Sequence, residues 1–163
     1  MADDQRLHAV DEVLSSLVGV WEGVARTWFE PDVLADESPI RGTVRRVEGS
    51  RFVLHEYASA FQGQPLSGVA LYGYNQHAGA FEGAWVDSFH MGTNIMLSSG
   101  TPGAGELNVR GSYAVEGGPS WGWRTVIAAP GPDRLTLTAY NASPDGDETK
   151  AVEIVYARTD AKA

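Results

Sequence analysis

The chain has 163 residues, 43% of them hydrophobic and 20% charged, an ordinary composition for one folded domain. Its 12 basic and 21 acidic residues leave a net charge of −9, which disfavours nucleic acid and anionic membranes as partners. There is no cysteine, which excludes disulfides, thiol nucleophiles, iron–sulfur clusters and thiolate zinc sites.

A single domain is expected over 1–163, with only MADDQ and TDAKA as tails. No basic region followed by an apolar core opens the chain, and no stretch of about 18 apolar residues crosses a membrane as a helix. A cytoplasmic location is the default expectation. Lys150 and Lys162 are the only lysines, so a buried Schiff-base lysine is not expected. Arg41, Arg45 and Arg46 read as a solvated strand face.

LHAVDEVLSSL, 7–17, places Leu7, Val10, Val13 or Leu14, and Leu17 at helical spacing and predicts a short amphipathic helix able to cover an opening. From Gly19 onward the chain turns to short segments rich in Val, Thr, Tyr, Phe and Trp. Strands are predicted near 19–30, 39–48, 51–62, 66–76, 80–88, 92–99, 105–116, 121–128, 134–141 and 149–158. The breaks EGS, GQP, HAG, EGGP, PGPD and SPDGD have turn chemistry, and short connections make neighbouring strands antiparallel. About ten such strands in series remove their edges by closing. The prediction is an all-β fold, an antiparallel up-and-down barrel with a short N-terminal helix. DVLADES, 32–38, is its longest predicted connection and is read as a lid.

In ELNVRGSYAV, Leu107, Val109, Gly111 and Tyr113 share one face and Glu106, Asn108, Arg110 and Ser112 the other. RFVLHEYASAF carries apolar mass on both faces. Either its outer face is covered, or its inner face lines a cavity with a few polar groups.

GPSWG, 118–122, fits a Gly-x-Ser-x-Gly elbow, but a strand follows Ser120 where that motif needs a helix, so a β-turn is predicted. GTPGAG lacks the Gly-Lys-Ser/Thr ending of a phosphate loop. The four histidines, His8, His55, His77 and His90, have no metal-ligand spacing, so no metal is expected and no cofactor is assigned. His77 reads as an exposed turn residue; His55 and His90, on or beside strands, read first as satisfied structural histidines. The acids Glu56, Asp87 and Glu153 interrupt apolar strands and must be exposed, paired or protonated. Arg124 is the expected partner.

LVGVWEG, SRFVLHEY, LYGYN, AWVDS with GTNIMLSSG, and SPDGDETKAVEIVYAR occur in an order that resembles the bacterial family called domain of unknown function 1579. The resemblance spans Leu17 to Arg158 and implies a calycin-like barrel, similar to lipocalins and fatty-acid-binding proteins, with no established activity. It carries over onto Trp21, Arg51, Glu56, Tyr74, Trp85 and Asp87, and further onto Ser88, Gly92, Arg124, Glu153 and Tyr156. FHMGTN departs from it by placing Phe89 and His90 between Asp-Ser and Met-Gly-Thr. GVWEG is also similar to nitrobindin-like haem barrels, which place an axial His near the C-terminal strands, whereas this chain has no His after His90.

Trp85 and Asp87, two apart in a strand, share a face, and that face is expected to point into the barrel. Trp21, Tyr72, Tyr74, Trp85 and Met96 are expected to supply an apolar lining, with Glu56, Asp87, Arg124 and Glu153 fixing orientation. The first functional expectation is binding of a small, mostly apolar molecule with a polar group. A second is an acid/base enzyme of isomerase, cyclase or hydratase type, with Asp87, Glu56 or His90 as the catalytic group. A third is a structural or partner-binding barrel with a filled core. A homo-oligomer is compatible with all three.

Overall fold

The computed structural model describes residues 2–103 and 105–159. Helix α1, Ala2–Leu17, precedes strands β1 (Gly19–Glu30), β2 (Val33–Arg46), β3 (Val53–Phe61), β4 (Gln64–Asn75) and β5 (Ala80–Asp87). Strands β6 (Met96–Gly100), β7 (Glu106–Tyr113), β8 (Trp121–Gly131), β9 (Arg134–Ala142) and β10 (Glu148–Arg158) follow. Every consecutive pair is antiparallel, and β1 pairs with β10 from Trp21↔Arg158 to Thr27↔Val152. The predicted fold is therefore the observed one: a closed antiparallel up-and-down barrel that leaves no open sheet edge.

Two stretches differ from expectation. DVLADES is not a lid, because Val33–Ser38 extends β2 along β1 in the pairs Trp28↔Leu34, Thr27↔Asp36 and Ala25↔Ser38. Only Pro31 and Asp32 make the turn, with Asp32 at φ 60° in the left-handed region that Asp tolerates. The acids do not break the strand because they have partners. Asp36 accepts from the Gln62 N–H at 2.9 Å and the Ser38 hydroxyl at 2.6 Å, and Glu37 pairs with Arg26 at 2.7 Å. The second difference is β6, which begins at Met96, after a turn segment over 88–95.

The N-terminal segment MADDQ belongs to the helix from Ala2 onward. Of TDAKA, Thr159 donates its N–H to the Val20 carbonyl at 2.9 Å, and the last four residues lie outside the described residues. The helix closes one end of the barrel with Val10, Leu14 and Leu17, each buried, and each such side chain contributes about 1.5–3 kcal/mol. Arg46 ties it to the end of β2, donating to the Asp11 carboxylate at 2.8 Å and the Ser15 hydroxyl at 2.5 Å. Beneath the helix Trp21 is wholly buried and donates its indole N–H to the Leu17 carbonyl at 2.9 Å, satisfying one of the last-turn carbonyls that a helix leaves free. The Arg158 guanidinium lies 4.2 Å from the Trp21 ring and donates to the Val18 carbonyl, completing the closed end.

Candidate functional site in the open half of the barrel

Strand register brings distant residues into rows. His55, Ala70, Trp85 and Met96 face one another across β3 to β6. One residue-pair over, Tyr57, Gly68 and Asp87 form the next inward row. Gly68 is required there: a Cβ on it would collide with the Tyr57 hydroxyl, whose ring lies across β4 toward β5. From there the hydroxyl accepts the Trp85 indole N–H at 2.9 Å and donates to Asp87 Oδ2 at 3.4 Å. Burial, then the Asp87 charge, push the Tyr57 hydroxyl well above its usual pKa, so it stays protonated.

Asp87, its side chain wholly buried, ends β5 and organises the segment that follows. Oδ1 accepts the backbone N–H groups of Phe89 at 3.2 Å, His90 at 2.5 Å and Met91 at 2.9 Å. The cap leads into a turn in which Gly92 has a φ of 58° and the Asn94 N–H donates to the Met91 carbonyl at 2.9 Å, which is why β6 starts late. Oδ2 accepts the His90 Nδ1–H at 2.6 Å. Burial pushes the Asp87 carboxyl up. The His90 ring, by hydrogen bond and charge, and the Met91 and His90 N–H groups outweigh it, so the pKa lies below its ordinary value and the carboxylate is ionised.

An ionised carboxylate only accepts, so His90 Nδ1 carries the proton, and in the neutral ring Nε2 presents a bare lone pair. That Nε2 is buried and has no hydrogen-bond partner among the described residues. Around it, the His90 ring lies 5.7 Å from the Trp85 ring and 5.8 Å from the Trp123 ring, while the two indoles stack at 5.6 Å and 21°.

These three rings divide two cavities. Thr27, Trp85, His90 and Trp123 line both. The inner chamber, of about 60 Å³, is bounded by small side chains such as Ala25, Ala139 and Thr125, with His55, Tyr57, Tyr72, Asp87 and His90 among its polar members. The outer pocket, of about 300 Å³, is walled by Trp28, Phe29, Met91 and Met96, with Asn94 and Asn141 as polar members. On the inner side His55 is fully buried against the Tyr156 hydroxyl at 3.2 Å, and burial pushes its pKa down to about 4, so it is neutral. Among the described residues no group of three His, Asp or Glu side chains is arranged to hold a metal.

Of the residues singled out from sequence, Tyr72 and Asp87 line the inner chamber, Met96 lines the outer pocket, and Trp85 and His90 line both. Trp21 and Tyr74 do not reach either cavity: Trp21 is under the helix, and Tyr74 packs edge-on against Phe81 at 5.7 Å. Glu56, Arg124 and Glu153 are on the outer wall. Glu56 is half-exposed beside Arg45 at 3.6 Å, and Glu153 pairs with Arg26 at 3.4 Å and Lys150 at 3.0 Å. Arg124 pairs with Glu148 through two nitrogens, at 3.0 Å and 2.8 Å, rather than with an internal acid. Outward placement spares each charge the cost of desolvation. Tyr57 and Trp123 were not foreseen. Strand parity holds the signal for Trp123: it and Arg124 must face opposite sides, and the indole gains more from burial.

The family model described as "Protein of unknown function (DUF1579)" matches residues 7–158. The chain belongs to this family. No curated protein matches it. Among solved structures, this DUF1579 barrel is similar to Rv2717c from M. tuberculosis, with a TM-score of 0.60 at 14% identity over 93% of this chain and 97% of that one. It is also similar to the S-type phycobiliprotein lyase CPES from Guillardia theta, with a TM-score of 0.52 at 10% identity over 94% of each chain. At such identities the likeness is one of fold.

Proposed function

We propose that this DUF1579 barrel binds a small, mostly apolar molecule that carries one polar group. The observation that carries this reading is the buried Nε2 of His90, without a partner among the described residues, set beside two stacked indoles in a side chain that borders both cavities. A buried polar atom without a partner costs about 1–3 kcal/mol, and a ligand that supplies the partner recovers it. The rings around it offer apolar area with little entropy to lose. That a similar barrel is named as a phycobiliprotein lyase supports a working lumen over a filled one. A net charge of −9 favours a small molecule over nucleic acid or an anionic membrane as partner, and no helix among the described residues is long and apolar enough to span a bilayer.

Mass spectrometry of molecules released from the purified protein identifies the ligand directly. A neutral solvatochromic dye is expected to bind and to lose about 10–100-fold in affinity in Trp85→Ala, since removal of one wall residue from a packed pocket costs a few kcal/mol. Equal binding by the folded variant refutes the site.

The same dyad supports a second reading. A carboxylate on Nδ1 and a free Nε2 facing a cavity form the arrangement of a general base, with the proton passing from substrate to Nε2 and Asp87 stabilising the imidazolium. For an isomerase that returns the proton at a second position, the released ligand incubated in D2O with the protein exchanges a C–H for C–D. That exchange disappears in His90→Gln. Absence of exchange in the parent leaves binding as the function.

A further inference from the structure

Among the described residues no lysine or arginine lines either cavity. Lys150 lies over the Trp28 ring at 4.5 Å, but its ammonium is paired with Glu153 at 3.0 Å. The fixed charge at the site is instead the Asp87 carboxylate, and His90 is already bonded to it. A protonated His90 makes that pair net neutral, so neither ring form leaves a net positive charge for an anion. A lipid carboxylate buried there would lie in low dielectric without a countercharge, which is costly. A neutral donor meets the opposite situation, since in the neutral ring Nε2 offers a lone pair and Tyr57 has already taken the Trp85 N–H. The surrounding surface is aromatic: Trp85 and Trp123 stack on each other at 21° and both border the two cavities, where a further planar ring can extend the pair.

Resting on the container reading above, we propose that the ligand is a neutral, planar aromatic molecule bearing an O–H or N–H donor, a phenol or an N–H heteroaromatic, and not a fatty acid. The donor bonds to His90 Nε2 and the ring stacks on the indoles. The absence of a lining cation sets this site apart from what a carboxylate-binding barrel needs.

Isothermal titration of the full chain with 1-naphthol, 1-methoxynaphthalene and dodecanoate tests this. The two naphthalenes share the ring and differ in the donor. The expected result is that 1-naphthol binds about tenfold or more tighter than its methyl ether, one hydrogen bond to a buried acceptor, with dodecanoate the weakest. His90→Phe is expected to erase the preference while the ether still binds, with thermal melting as the check on folding. Independently of any variant, the ¹⁵N resonance of His90 Nε2 in the parent is expected to move with 1-naphthol and not with the ether. Equal affinities for the two naphthalenes, or tightest binding of dodecanoate, overturn this inference and leave the container reading standing. Failure of all three probes to bind overturns both.

Discussion

Asp87 holds His90 twice, accepting its ring Nδ1–H at 2.6 Å on Oδ2 and its backbone N–H at 2.5 Å on Oδ1. One carboxylate thus fixes both the tautomer of the ring and the path of the chain that carries it. An amide in its place retains an acceptor for the backbone but turns a donor toward Nδ1–H. Asp87→Asn is expected to cost roughly 2–3 kcal/mol, the scale of a charged hydrogen bond, measured by urea unfolding at pH 7. Because the folded pKa is lowered, this stabilisation is fully present above the unfolded value of about 3.9 and is lost as pH falls through the lower folded value. The gap between parent and variant should therefore hold from neutral pH to about pH 4 and narrow below it. A gap that narrows between pH 7 and pH 5 contradicts the assignment.

His55 gives the opposite case, a base buried in its neutral form. Its pKa is lowered to about 4 in the folded chain, against an ordinary value of about 6.5 when unfolded. Between those values the unfolded chain takes up a proton that the folded chain refuses, so stability falls as pH falls from about 6.5 to about 4. A shift of this size corresponds to about 3 kcal/mol. His55→Gln is expected to flatten stability across that window relative to the parent. Parallel pH profiles for the two proteins count against a buried neutral His55.

Trp21 anchors the closed end by burial and by one hydrogen bond to the helix C-terminus. Trp21→Ala is expected to remove roughly 3–5 kcal/mol. A loss below about 1 kcal/mol in denaturant unfolding places the indole at the surface.

Arg124 and Glu148 couple across the outer wall, both side chains largely but not fully covered. In a double-mutant cycle, Arg124→Met with Glu148→Gln is expected to show an interaction of about 1 kcal/mol, the scale of a partly exposed pair. Arg124→Met with Asp87→Asn is expected to be additive within about 0.5 kcal/mol, since the barrel wall separates them. Strong coupling with Asp87 in thermal or urea melts places the guanidinium inside.

The sequence by itself determined the helix, the number and order of the ten strands and, through their short turns, the antiparallel order that closes into a barrel. Those are local properties: spacing of apolar residues, turn chemistry and the length of connections. It also paired Trp85 with Asp87 on one face, because alternation is fixed by the backbone pleat. Alternation, however, gives relative sides only. Which side of β8 is inward depends on what Trp123 and Arg124 find there, and the answer comes from Trp85 and from Glu148, dozens of residues away. Glu56 and Glu153 were misread for the same reason, since their arginine partners lie on other strands. DVLADES became a strand because β1 continues opposite it. Only the local cap from Asp87 to Phe89, His90 and Met91 lay within reach of the sequence. The placing of Nε2 at the partition between two cavities did not, because it requires Trp123 from β8 and Tyr57 beside Gly68 to be in position at once. Closure of the barrel decides that, by bringing into one lumen residues whose separation along the chain carries no information about their distance in space.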